Sequence, residues 1–242
     1  EGTDVNAADV QGGTPLHVAA EEGRVNAIAA LLAAEGTDVN AANLMGQTPL
    51  HVAAEEGRVN AIAALLAAEG IDVNAADVYK LTPLHVAAEE GRVNAIAALL
   101  AAEGTDVNAA NLMGQTPLHV AAEEGRVNAI AALLAAEGID VNAADEYDLT
   151  PLHVAAKEGQ VDAIAALLAA EGIDVNAGND QGRTPLHVAA KEGRVNAIAA
   201  LLAAEGTDVN AADVQGGTPL HVAAEKGQVD AIAALLAAEG ID

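Results

Sequence analysis

The sequence predicts an all-α repeat protein, a solenoid of seven stacked helix pairs joined by extended finger loops. Three observations predict it. The heptapeptide Thr14-Pro15-Leu16-His17-Val18-Ala19-Ala20 returns unchanged from Thr48, Thr82, Thr116, Thr150, Thr184 and Thr218, a constant period of 34 residues that accounts for nearly all of the 242. Two apolar patterns of helical spacing lie within each period, and a stretch rich in Asp, Asn and Gly separates one period from the next. Self-similarity of this kind marks an array in which each repeat contacts only its neighbours, so residues 1–242 are expected to form a single repeat domain.

The first helix begins at Thr14, whose hydroxyl suits the N-cap, and Pro15 takes the first helical position, where a missing N–H costs nothing. It runs to Gly23, a residue able to adopt the left-handed conformation that ends a helix, and is therefore only about two turns long. A second helix begins at Val25 and carries Ile28, Leu31 and Leu32 on one face until Gly36. Thr37 to Gln47 has turn chemistry and is read as an extended finger. Alanines at 27, 29, 30, 33 and 34 let helices approach closely. One repeat cannot fold alone: its few large aliphatics contribute about 1.5–3 kcal/mol each, against an ordering cost of about 1–2 kcal/mol for every residue.

Composition narrows the function. Thirty-six acidic residues against ten basic ones give a formal charge of −26, a field that repels a phosphate backbone and excludes nucleic acid as a partner. With neither Cys nor Ser in the chain, nucleophilic catalysis of the Ser-His-Asp or Cys-His type is excluded, and the protein is not expected to be an enzyme. The apolar run Ala27 to Ala34 is far shorter than a membrane span, so no membrane partner is expected and the chain is read as soluble. It opens on Glu1-Gly2-Thr3-Asp4 with no targeting pattern, and the missing initiator Met points to a fragment or a processed form.

Seven histidines, His17 to His221, invite a metal reading, but they occur once per repeat on helices expected about 8–10 Å apart. Zinc needs ligands converging at about 2.1 Å, so no metal is expected. Asp38-Val39-Asn40 resembles the start of a calcium loop, yet Ala42 and Pro49 stand where further oxygen ligands are required. No cofactor is expected.

The order of finger, Gly, Thr-Pro-Leu-His, Ala-Ala, Gly, second helix, Leu-Leu, Gly and Asp-Val-Asn-Ala closely resembles the ankyrin repeat across the whole chain. The resemblance implies an ankyrin-like solenoid whose histidines are structural hydrogen-bonding residues. It also implies partner binding through the finger tips and a concave first-helix face, and favours an intracellular protein. The period exceeds the family's usual ~33 by a residue, which falls in Ala33-Ala34-Glu35-Gly36 and is expected to extend the second helix or its cap. Near-identity of the copies fits a consensus-based sequence or a recent duplication.

The copies differ mainly before each Thr-Pro, at the finger tips. Both Met and both Tyr of the chain lie there, in repeats two to five. Lys80 and Asp148 replace the turn glycine of the other copies, a change that strains the backbone wherever φ is positive. Tyr and Met are what binding surfaces use. The expected protein-binding surface is therefore Leu44, Met45, Val78, Tyr79, Lys80, Leu81, Leu112, Met113, Glu146, Tyr147, Asp148 and Leu149, with the first-helix acids Glu89, Glu90, Glu123 and Glu124. An apolar row rimmed by acids calls for a protein partner with a basic rim. The expected function is a non-catalytic protein-binding scaffold. The alternative is a structural array that associates end to end, because the first and seventh repeats carry the same apolar helices, and the same tip sequence, as if they were interior.

Overall fold

The computed structural model of the chain describes residues 4–238. Among them are fourteen helices in seven pairs and no strand. The first helices of the pairs are α1 (Pro15–Glu21), α3 (Pro49–Glu55), α5 (Pro83–Glu89), α7 (Pro117–Glu123), α9 (Pro151–Glu158), α11 (Pro185–Lys191) and α13 (Pro219–Lys226). The second helices are α2 (Val25–Leu32), α4 (Val59–Leu66), α6 (Val93–Leu100), α8 (Val127–Leu134), α10 (Val161–Leu168), α12 (Val195–Leu202) and α14 (Val229–Leu236). Contacts group the chain into two compact halves, Glu1–Leu112 and Met113–Asp242. Within the first half α1, α3 and α5 stack in one layer and α2, α4 and α6 in the other; within the second half the layers are α7, α9, α11, α13 and α8, α10, α12, α14.

The core follows from the two periodicities. On the first helix Leu50 and Leu118 are fully buried, and Ala53, Ala54, Ala121 and Ala122 leave no side chain to hold neighbouring helices apart. On the second helix Ile62, Leu65, Ile130 and Leu133 are likewise fully buried. The added residue of the period does not extend the second helix, which ends at Leu32 and its equivalents. It is taken up in the following turn, where Gly36 has φ 84° and a Cβ would meet nothing within 4 Å. Open space around the turn is the reason the extra residue is accommodated there.

The Thr-Pro-Leu-His motif is a capping box closed by histidine. Thr116 is extended (φ −88°, ψ 167°), and its backbone N–H donates to His119 Nδ1 at 3.1 Å. The threonine hydroxyl lies 2.9 Å from the same ring nitrogen. Bonds from the first-turn amide N–H to the threonine hydroxyl oxygen are long by comparison, 3.4 Å in α5 and 3.5 Å in α9, so the ring and not the amide is the hydroxyl's main partner. Because Nδ1 accepts the amide proton, the ring proton sits on Nε2. From there it is donated to a carbonyl in the next repeat: Gln47 for His17 and Leu81 for His51 in the first half, and Leu149, Arg183 and Gly217 for His119, His153 and His187 in the second, at 2.9–3.0 Å. Each of these five histidines thus starts its own helix and fixes the base of the next finger.

Two further ladders run beside it. Asn40 Nδ2 donates to the Gly70 carbonyl at 2.8 Å while its Oδ1 accepts the Asp72 N–H at 2.9 Å, and Asn74, Asn142 and Asn176 repeat the pattern one repeat apart. At the C-terminal ends of the first helices, Arg58 Nε donates to the Glu21 carbonyl and Arg92 Nε to that of Glu55, both at 2.8 Å. In the second half Arg194 serves Lys157, while Gln160 and Gln228 supply an amide to Glu123 and Lys191. These carbonyls have no partner within their own helix, and each is satisfied by the following repeat.

Candidate interaction surface

Every finger tip is a tight turn held by one acidic or amide side chain. Asp77 Oδ1 accepts the N–H groups of Tyr79 and Leu81, both at 2.8 Å, and the Asp77 N–H donates to the Leu81 carbonyl at 3.0 Å. Asp145 does the same for Tyr147 and Leu149. The fourth turn position is left-handed, so glycine occupies it in most copies. Lys80 (φ 58°) and Asp148 (φ 56°) are the non-glycine residues with positive φ among the described residues, which meets the condition under which loss of the turn glycine strains the backbone. Adjacent tips share one backbone bond: Leu44 N–H to Gln11 O, Val78 N–H to Met45 O and Leu112 N–H to Tyr79 O in the first half, each 3.0 Å. In the second half Glu146 donates to Met113 and Val214 to Gln181.

With the backbone occupied in this way, the tip side chains point away from the core. In the first half Leu44, Met45, Val78, Tyr79 and Leu112 are exposed, and Val10 is more exposed still at 95%. In the second half Met113, Tyr147 and Val214 are exposed. The Tyr147 hydroxyl donates to the Glu146 carboxylate, whose acceptance of that bond and negative charge hold the phenol above its ordinary pKa. Along the first helices the acids form a partly covered row. The Glu55 carboxyl is pushed up by burial and by the like charges of Glu56 and Glu90.

The model for ankyrin repeats (three copies) matches residues 1–77, 32–111, 72–145 and 152–242. The chain belongs to the ankyrin repeat family. It is similar to the ankyrin repeat domain of Bcl-3, a member of the IkappaB family (30% identity, 92% of this chain and 99% of that one, TM-score 0.80). It is also similar to the human ASB11 ankyrin repeat domain (32% identity, 95% of this chain and 100% of that one, TM-score 0.77). No curated protein sequence matches it.

The expected binding residues take distinct places on the ankyrin fingers. Leu44, Met45, Val78, Tyr79, Lys80 and Leu112 are exposed on the first half, and Met113, Glu146, Tyr147 and Asp148 on the second. Leu81 and Leu149 are half-buried at the finger base, where their carbonyls receive the histidine protons, so they are part of the scaffold as much as of any surface. Of the acids, Glu89 and Glu123 are half-buried, with Glu123 accepting a bond from Gln115, whereas Glu90 and Glu124 are exposed. Glu90 lies 3.9 Å from Arg92, a long and solvated pairing that blunts its charge only slightly. Val10 and Val214 were passed over in the sequence because their tips contain no aromatic or Met; their place in the repeat was the available signal. Among the described residues no three metal-binding side chains come together, and no helix is long and apolar enough to cross a membrane.

Proposed function

We propose that this chain, in keeping with the generally non-enzymatic, protein-binding role of ankyrin repeat domains, binds a protein through its finger tips and adjoining first-helix face, with Tyr79 the anchor on the first half and Tyr147 on the second. The observation that carries this is the exposure of the two tyrosines, 54% and 56%, on turns whose backbone groups are already bonded, so that the ring is presented on a rigid base. Rigid aromatic side chains give large contact area at small entropic cost. The strained φ of Lys80 and Asp148, each next to its tyrosine, is what a positioned recognition turn carries. The acids favour a partner with a basic rim and act on association rate more than on affinity. A binder selected from a displayed peptide library tests the reading. Replacing Tyr79 and Tyr147 with Ala should weaken its affinity tenfold or more, the equivalent of about 1.4 kcal/mol, with the helical circular dichroism unchanged. Unchanged affinity, or loss of the fold, removes the tips as the binding site.

A further inference from the structure

Resting on the reading that the finger tips bind protein, we propose that the first half takes a segment of its partner in the polyproline II conformation, with an apolar and a basic residue in every triplet. The tips in this half form an unbroken apolar row of Leu44 and Met45, Val78 and Tyr79, and Leu112, all exposed. Each tip is tied to the next by one backbone bond of 3.0 Å, Val78 N–H to Met45 O and Leu112 N–H to Tyr79 O, so the row is held in register. Below it α1, α3 and α5 pack directly on one another. Packed helices set the step from one tip to the next at about 8–10 Å.

A segment that fills successive tips must place side chains on one face at that same step. In a β-strand three residues cover about 10 Å, but the residue three along points to the opposite face, and two or four residues fall at about 6.6 or about 13 Å. In an α-helix the matching residue lies seven along, at about 10.5 Å, and drifts by about 20° with each step. A polyproline II helix has three residues per turn and rises about 3.1 Å per residue, so every third side chain returns to one face at about 9.3 Å, inside the range. That helix has no internal hydrogen bonds, and its carbonyls stay open to donors. The Tyr79 hydroxyl and the Lys80 ammonium, both on one exposed tip, supply them.

Charge selects the second residue of the triplet. The first helices of this half end in the pairs Glu21-Glu22, Glu55-Glu56 and Glu89-Glu90, repeated at the same step as the tips. Gln47, at the base of a finger, bonds the Glu55 side chain, which brings the acid row to the side of the fingers. Glu55 also feels the like charges of Glu56, Glu90 and Glu21, so the field runs across repeats and a cation in each triplet relieves it. Arg58 and Arg92 reach Glu56 and Glu90 only at 3.7 and 3.9 Å and leave both carboxylates exposed. In the second half the two features do not coincide: Asp180 and Gln181 interrupt the apolar row between Tyr147 and Val214, and Lys157 and Lys191 replace the first acid of the pair.

Titration of the whole chain into a labelled peptide of repeated Leu-Pro-Arg triplets, read by fluorescence anisotropy, is the test. Two control peptides carry the same positive charge: the same residues in shuffled order, and an α-helical peptide with Leu at every seventh position. The triplet peptide should saturate at one site per chain and bind at least tenfold tighter than either control. Equal binding of all three is general attraction to an acidic protein and overturns the proposal, as does preference for the helical peptide or no binding of the triplets. Tyr79→Ala should weaken the triplet peptide tenfold or more, and Glu56→Gln with Glu90→Gln should weaken it and flatten its salt dependence. Gln181→Ala, on the second half, should leave it unchanged; an effect equal to that of Tyr79→Ala overturns the placement. Should Tyr79→Ala lose its helical signal, Met45→Ala acts on the same row. If the triplet peptide fails while a library-selected binder still depends on Tyr79, the tips remain the binding site and only the polyproline II register is wrong; if both fail, the tips are not the site.

Discussion

Replacing His153 by Ala removes the acceptor of the Thr150 N–H (3.1 Å), the partner of the Thr150 hydroxyl (2.9 Å) and the donor to the Arg183 carbonyl (2.9 Å). Three bonds at about 0.5–1.5 kcal/mol, plus about 1–3 kcal/mol for the buried Thr150 N–H left without a partner, overlap to give an expected loss of about 3–5 kcal/mol. The Arg183 carbonyl is not orphaned, because the Asn179 N–H still donates to it at 3.0 Å, and this keeps the estimate from rising further. His221 sits in the same heptapeptide but is exposed and has no Nε2 partner among the described residues. Water replaces what His221→Ala removes, and about 1 kcal/mol or less should be lost. Urea unfolding followed by circular dichroism measures both, with amide exchange of repeat five locating the damage, since repeat arrays open in parts. Equal losses at the two positions, or a His153→Ala loss below about 1 kcal/mol, would refute the view that the interface bond and burial, not the capping motif, carry the energy.

Burial lowers the pKa of His51, His119, His153 and His187 below the ordinary value of 6.5, so the unfolded chain takes up protons at a pH where the folded one does not. Their contribution to stability is whole above the unfolded pKa and is lost as pH falls from there through the folded values. Glu55, with its raised pKa, acts in the opposite sense but is one group against four. The urea midpoint should therefore fall between neutral and mildly acid pH, and a flat or rising midpoint would contradict this. For the glycines, Gly36→Ala meets only the left-handed φ of 84° and should cost about 1 kcal/mol. Gly46→Ala, at φ 78°, also brings its Cβ to 2.9 Å from the Val78 nitrogen and should cost roughly 1–3 kcal/mol more. Paired unfolding curves decide it, and equal costs would mean that the finger backbone yields freely.

The period, the helix starts at Thr-Pro, the finger turns and the loss of the turn glycine at Lys80 and Asp148 were legible because each depends on groups within a few residues of one another, whereas the positive φ at those two positions came from the structure. The asparagine ladder was not, although Asn40 and Asn74 recur unchanged: nothing local distinguishes a side chain bonded to the next repeat from one bonded to water. The Arg ladder escaped for the same reason, since Arg58 reaches a carbonyl in the preceding repeat that no spacing rule connects with it. On the surface, exposure of Tyr79 and Met45 followed from tip position, while the half-burial of Leu81 and Leu149, the last residues before the Thr-Pro start, did not.

The sequence by itself determined seven identical starting motifs, and with them where each helix begins, which face is apolar and where the chain turns. The tertiary structure decided how each copy is used. His119 is fully buried and joins two repeats, whereas His221 is exposed and joins none; Val86 is buried while Val18 is half-exposed. The motif is the same at every one of these positions. A helix start is set by atoms within one turn of the chain, but burial and the Nε2 bond are set by a repeat about thirty residues away, so identical residues acquire different energies according to what stacks on them.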